Sequence, residues 1–461
     1  MDFSHYRSLQ KDREERLFDH RAIAGTRGPH PDDLVPPISL LYQPFGTFID
    51  TYLGMGRNAA GAPPSLKGQV DDFANEMAQI HANEDRRRDA GLTHLDLIFC
   101  EALAAGLSPI RAASFGRYGT DGHILGPRGM PIFIVEFKNE AAGISSIPVV
   151  ELCAYYNKFI AEVSKDLQLS SRMPALGLTV VGRSMIVLVC VMMLSAPGPV
   201  ITFYAIAFVG RVHYTALTSS ISCVHRAVNG YDRHNLYNAF AAAVELLRCI
   251  TQDVYSTESL SPLHHLYPAI TELPYFESPS NSIKFKIIKP LFPATSRYVY
   301  LATSSNDTGL IIKFTSSYSA DLHVHCVRDG HAPKLRGYAK LPGDIIAIAM
   351  DLVSDAETLD SKESSLDDKK NWADQLKQLV ESFHAAGYVH GDLRCPNILV
   401  AGNKVMLIDF DWGGKEGEAF YPHGRLNSQL TEGRKEGGLM ITKEDDRRVL
   451  AITLKEIGIG S

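Results

Sequence analysis

The run YVHGDLRCPNILVAGNKVMLIDFDWGG, residues 388–414, sets two carboxylates, Asp392 and Asp409, and the amide of Asn397 among apolar, strand-like residues. Aspartate inside runs such as NILV and VMLID is costly unless it is paired or meets a cation. Carboxylate and amide oxygens are the hard donors that Mg²⁺ prefers. Phosphoryl transfer uses such groups: metal ions bridge the phosphates, a lysine holds them, and a carboxylate orients the attacking hydroxyl. A second constellation lies in TDGHILGPRGMPIFIVEFKNE, residues 120–140. Asp121 precedes a turn, and the strand IFIVEF then delivers Glu136 and Lys138 to one face, because side chains alternate along a strand. Two acids and a lysine in this order suit metal-dependent cleavage of a phosphodiester. The acids bind Mg²⁺, which acidifies a water and polarises the phosphate, while the lysine steadies the nucleophile or the developing charge. An acid and a lysine two apart on a strand are commonly a solvated face, but here their neighbours are apolar.

The segment His390-Gly-Asp-Leu-Arg-Cys-Pro-Asn397, the turn AGNK and the strand leading to Asp409 in IDFDW resemble the catalytic and metal-binding loops of the protein-kinase superfamily. The resemblance implies that Asp392 is the catalytic base or hydroxyl-orienting acid and that Asn397 and Asp409 hold Mg²⁺. Arg394 stands where protein kinases usually carry a lysine near the γ-phosphate of ATP. Lys313, in GLIIKFT, looks like the strand lysine that grips the α- and β-phosphates. Gly391 replaces the arginine that in many kinases senses a phosphorylated activation loop, so no such switch is expected. HGD also occurs in aminoglycoside- and choline-type phosphotransferases and in atypical kinases. Asp411 replaces the DFG glycine, which should limit that loop's freedom to flip. No GxGxxG precedes Lys313, and Asp321 is one candidate for its acidic partner. Asp446 is a candidate anchor of the catalytic loop. The chain ends at Ser461, which implies a shortened C-lobe and a small or partner-supplied platform for a protein substrate.

The pattern TD…EFK, followed by a helix with Glu151, Tyr155 and Tyr156, resembles the PD-(D/E)xK nuclease superfamily. That implies Asp121 and Glu136 as metal ligands, Lys138 as a catalytic residue, and a further acid from the preceding helix, Glu76 or Glu84. Thr120 stands where that pattern has proline. The two modules in this order resemble fungal Crinkler-type and fungal kinase-like proteins, which implies effector- or toxin-like roles, with nuclear action in some members.

Elements must position these residues. Leu66, Val70, Phe73, Met77 and Ile80 predict a helix to about residue 90, and strands follow over 108–138. Helices are expected over 147–163, 235–250 and 371–387, and strands over 175–215, with MIVLVCVMML (185–194) and VITFYAIAFV (200–209) as a buried hairpin. The Ser/Pro-rich stretch 255–283 is the expected linker. In the second half strands precede a helix and then an acid-bearing hairpin, the order of a two-lobed phosphotransferase. The expected fold is therefore α+β and multidomain. A restriction-endonuclease-like α/β domain spans 1–254, and a two-lobed protein-kinase-like domain with a shortened C-lobe spans 284–461.

A chain of 461 residues calls for more than one core. With 46 basic against 52 acidic residues, net −6, it is no bulk polycation for coating nucleic acid. Seven cysteines, widely spread and without a CxxC pair, suggest reduced thiols rather than a disulfide framework or zinc ribbon. The charged N-terminus is not a secretory signal, and each apolar run is too short to span a bilayer. An intracellular protein, cytoplasmic or nuclear, without membrane insertion is expected. His264 and His265, the Met192–Met193 pair and the run EDRRRD (84–89) read as solvated or core-filling residues. The function expected first is an ATP- and Mg²⁺-dependent phosphotransferase acting on protein serine or threonine, or on itself, because Cys395-Pro396 departs from the tyrosine-kinase pattern. The alternatives are a Mg²⁺-dependent DNase, binding DNA through its first domain under a nucleotide-binding or pseudokinase lobe, and a non-catalytic scaffold. The sequence does not name the phosphate acceptor, the oligomeric state or the coupling between domains.

Overall fold

The computed structural model describes residues 35–55, 62–100, 109–115, 118–126, 131–139, 148–163, 173–182, 199–208, 212–224, 230–255, 267–292, 297–361, 364–422, 426–434 and 438–459. The chain divides into two units, Met1–Ala269 and Ile270–Ser461. Among the described residues no helix is long and apolar enough to cross a membrane.

The first unit opens with helices α1 (Ile38–Leu41), α2 (Gln43–Tyr52), α3 (Pro64–Ala78) and α4 (Glu84–Cys100). Strands β1 (Arg111–Phe115), β2 (Tyr118–Leu125) and β3 (Pro131–Lys138) lead to α5 (Pro148–Val163). Then come β4 (Ala175–Val181), β5 (Val200–Phe208), β6 (Val212–Ala216), β7 (Ile221–Ser222) and α6 (Gly230–Tyr255). The sheet runs β1-β2-β3-β4-β5-β6, with β7 beside β5. β3 and β4 are parallel, and α5 supplies the crossover that a parallel pair requires. Both faces of β3 are covered, which explains its nearly unbroken apolar sequence. Phe133, Val135 and Phe137 pack with Phe73, Phe99 and Phe240 of the helices. Ile134 instead joins Leu152, Tyr155 and Tyr156 of α5. Glu136 and Lys138 share the parity of Ile134 and thus the α5 side.

Two expectations need correction here. The helix predicted from 66 to about 90 is two helices: Gln79 turns extended, Ile80 is 85% exposed, and Asn83 Oδ1 accepts from the Arg86 N–H (2.9 Å) to start α4. The run EDRRRD is not simply a solvated face. Arg87 is buried, donating to Asn139 Oδ1 (2.9 Å) and the Met77 carbonyl (2.8 Å). The run 185–194, including Met192 and Met193, and His264 and His265 lie outside the described residues.

The second unit begins with β8 (Glu272–Pro274), β9 (Ser282–Pro290), β10 (Tyr298–Ser304) and β11 (Gly309–Thr315). It continues through α7 (Ala320–Arg328), β12 (Leu335–Leu341), β13 (Ile345–Asp351), β14 (Glu357–Thr358) and α8 (Leu366–Ala385). Then come β15 (Tyr388–Val389), a 3-10 turn (Cys395–Asn397), β16 (Ile398–Ala401), β17 (Lys404–Leu407), β18 (Gly414–Lys415), α9 (Ser428–Thr431) and α10 (Lys443–Glu456). Six strands form a sheet ordered β12-β13-β11-β10-β9-β8. Its edges meet through a bridge between Tyr275 and Gly337. Residues 272–274 and 282–283 are thus strand, so the stretch expected as linker is in part the opening hairpin of this sheet. Ser365 and Asp368 form a capping box that starts α8 at Leu366, earlier than the apolar periodicity shows. One core joins Leu322 of α7 and Ile348 of β13 to Trp372, Leu376 and Phe383 of α8, Phe410, and Val449 of α10.

Candidate functional site

Lys313 lies on β11, flanked by β10 and β13, and its side chain is buried. It ion-pairs with Asp409 and meets Asp411 Oδ1 at 2.5 Å. Asp411 Oδ2 also accepts from Thr315 Oγ1 (3.0 Å). Asp321, the partner considered from sequence, is exposed on α7 instead. Asp409 has left-handed backbone (φ +67°), which aspartate tolerates better than most residues. Burial opposes ionisation of both acids. Lys313 nevertheless holds the Asp409 carboxyl below its ordinary range, whereas burial pushes Asp411 up to about 6. One ammonium is shared by two acids, so one stays ionised more readily than the other.

Asp392 is buried on the loop between β15 and the 3-10 turn and receives both Nε (2.5 Å) and a terminal nitrogen (2.7 Å) of Arg394. Arg394, expected near a γ-phosphate, is here the bidentate partner of the acid. A guanidinium offers five donors, so this pairing leaves some for a phosphate. Asn397 donates from its amide nitrogen to the Asp392 carbonyl (3.1 Å), which keeps its oxygen available as an acceptor. The Ile408 N–H donates to the Asn397 carbonyl (3.0 Å), so the segment after β17 that carries Asp409 is tied to the loop carrying Asp392.

Asp446 is the anchor considered from sequence. Buried on α10, it accepts from the N–H groups of His390 and Gly391 (both 2.8 Å) and from His384 Nε2 (3.0 Å). Gly391 is left-handed (φ +84°), and a Cβ there would lie 2.8 Å from Ile441 Cδ1. The missing arginine thus has a backbone cause. Phe410 stacks on buried His323 with centroids 4.5 Å apart, and its carbonyl accepts from the Ser319 N–H (3.0 Å). Burial pushes His323 down to about 4. Its Nε2 donates to the Pro333 carbonyl (2.8 Å), leaving Nδ1 to accept from Tyr318 (2.7 Å).

Residues 344–412 match the family of the RIO domain. That match supports a kinase-like fold for the second unit. Among solved structures the chain is similar to the kinase PK-1 of the Cydia pomonella granulovirus, at 18% identity over 38% of this chain and 67% of that one, with a TM-score of 0.32. No curated protein matches the chain. The RIO match covers Asp392, Arg394, Asn397, Asp409 and Asp411 and leaves Lys313 and Asp446 outside it. In this kinase-like unit the connection between β9 and β10 includes 293–296, which lie outside the described residues, and no glycine-rich motif stands there.

The Asp409 carboxylate and the Asn397 amide oxygen are donors whose chemistry fits a divalent cation. Among the described residues no group of three or more His, Cys, Asp or Glu side chains is arranged to hold a metal ion. A Mg²⁺ here would therefore complete its shell with phosphate oxygens and water, its usual habit at phosphotransferase sites.

In the first unit Asp121 and Glu136 come together across β2 and β3, with Lys138 beside them. Asp121 Oδ2 accepts from the Phe137 N–H (2.7 Å). Lys138 pairs with Glu84 at 3.0 Å and Glu151 at 2.9 Å. This decides between the two further acids: Glu84 reaches the site, while Glu76 lies near His81. Glu151 was seen only as part of a packing helix, and the structure adds it to the cluster. Glu136 is 3% exposed, and its Oε1 has no hydrogen-bond partner. Burial, then the charge of Asp121, holds its pKa well above the ordinary value, and burial raises Asp121 as well. Burial works against the Lys138 charge, but Glu151 and Glu84 outweigh it and hold its pKa up. Thr120, in the proline position, donates to the Val135 carbonyl (3.1 Å) and is structural. Gly122 permits the close approach of α4, since a Cβ would lie 2.6 Å from Leu92.

Proposed function

We propose that the second unit transfers phosphate from ATP in the presence of Mg²⁺ to a protein serine or threonine, or to the chain itself. The observation that carries this reading is the convergence of Lys313 on Asp409 while the segment bearing Asp409 is tied to the Asp392–Asn397 loop. Asp392 would accept the hydrogen bond of the acceptor hydroxyl and orient it, held in place by Arg394. Asn397 and Asp409 would hold the Mg²⁺ ion, which neutralises charge on the phosphates. Lys313 would release Asp409 and engage the α- and β-phosphates. Asp446 would keep the catalytic loop rigid. Cys395-Pro396 departs from the tyrosine-kinase pattern, which supports the serine/threonine reading. Labelled-ATP transfer by the wild type but not by Asp392→Asn would support the reading; absence of transfer by both would refute it.

A second reading concerns the first unit: Mg²⁺-dependent cleavage of DNA by a restriction-endonuclease-like domain. The partnerless Oε1 of buried Glu136, beside Asp121 and with Lys138 held by Glu84 and Glu151, favours it. Asp121 and Glu136 would bind the cation, and Lys138 would steady the developing charge. The helix-to-sheet order, with β1–β3, the α5 crossover and a parallel β4, is consistent with that domain. DNA cleavage that requires Mg²⁺ and is lost in Lys138→Ala supports this reading, and no cleavage by the wild type contradicts it. The fungal Crinkler-type resemblance would then describe a chain in which the kinase-like unit regulates the nuclease.

A further inference from the structure

We propose that Asp411 is the positioning acid of Lys313, holding the ammonium in place when Asp409 turns to a cation. The inference rests on the phosphotransferase reading of the second unit. Lys313 and Thr315 lie two apart on β11 and so point to one face, and Asp411 engages both. Its Oδ1 lies 2.5 Å from Lys313 Nζ but off the direction of a well-aligned hydrogen bond, and it has no other hydrogen-bond partner. That oxygen is therefore committed to the lysine by charge.

The helix that would otherwise supply such an acid does not do so. The buried residues of α7 are Leu322, His323 and Cys326, while Asp321 is exposed. Instead α7 fixes the loop that bears Asp411. The Ser319 N–H donates to the Phe410 carbonyl (3.0 Å), Phe410 stacks on His323 (4.5 Å), and a Cβ on Gly413 would lie 2.7 Å from Leu322. A carboxylate fixed in this way can hold a flexible lysine in one direction. Asp409 cannot do this alone, because the metal would take its oxygens. The aspartate in place of a loop glycine thus moves the lysine's partner from the helix to the metal-binding loop, and the pairing no longer depends on a swing of α7.

The test compares wild type, Asp411→Asn, Asp411→Glu and Asp321→Ala, all full-length. Transfer is followed against Mg·ATP concentration, and Lys313 acetylation by acetic anhydride is quantified by peptide mass spectrometry. Asp411→Asn should raise KM for ATP about tenfold with kcat changed less than about threefold, and Asp411→Glu should recover part of the loss. Lys313 should acetylate several-fold faster in Asp411→Asn, at an unchanged melting temperature, while Asp321→Ala behaves as wild type. KM and acetylation in Asp411→Asn within about twofold of wild type would overturn the proposal, as would a loss confined to Asp321→Ala. If the wild type transfers no phosphate, the phosphotransferase reading fails on its own, and the acetylation rates still decide whether Asp411 holds Lys313.

Discussion

Gly391 shows how a single backbone angle decides which residue a functional loop accepts. At φ +84°, with Ile441 against the position a Cβ would take, Gly391→Ala should cost about 1–2 kcal/mol or more in chemical denaturation. Gly391→Arg should cost at least as much and create no phosphate sensor. Asp446→Ala should be worse, about 3–5 kcal/mol, because it strands two buried N–H groups and His384. Glu136 bears on the first unit. Its folded pKa is raised above the ordinary 4.5, so its contribution is fully present below that value and is lost as pH rises through the folded pKa. In EDTA, Glu136→Gln should therefore stabilise the first unit by about 1–3 kcal/mol at pH 8 and by little near pH 4. Equal stability of the two proteins at both pH values would contradict a buried, unpaired carboxyl. That Asp392, Asn397 and Asp409 lie on linked segments could be read from their fixed spacing in the chain. The pairing of Asp411 and Glu151 could not, because only three-dimensional contact shows which lysine they meet.

At the scale of elements, a half-buried arginine ties described residues between β18 and α10 together. Arg434 pairs with Asp445 (2.9 Å), lies over the Tyr421 ring (5.0 Å), and donates to the Gly438 carbonyl (2.7 Å). Asp445 also closes the capping box of α10 with Thr442. Arg434→Met should leave Asp445 buried with less compensation, costing about 2–4 kcal/mol and opening the segment to limited proteolysis near residue 434. Unchanged proteolysis would show that the segment is held otherwise. Helices α5 and α8 were legible from apolar periodicity to within a few residues. The break between α3 and α4 was not, since it depends on Asn83 capping and on Arg87 being drawn inward by Asn139 and Met77.

At the scale of the whole molecule, the buried clusters of the first unit and that of the second share no residue. Calorimetry should therefore resolve two unfolding transitions, with Mg·ATP raising only one. That the chain holds more than one core could be expected from its length, and it divides into two units. The division after Ala269 falls within the Ser/Pro-rich stretch expected as linker, but composition could not show that part of that stretch, Glu272–Pro274, pairs with a strand. The central claim is that the kinase-like unit transfers phosphate with Asp392 as the orienting acid. The most direct measurement is transfer of labelled phosphate from Mg·ATP to protein by wild type and by Asp392→Asn. Transfer that falls by about 10²-fold or more in the variant is the predicted result. No transfer by the wild type, or equal transfer by both, would contradict it.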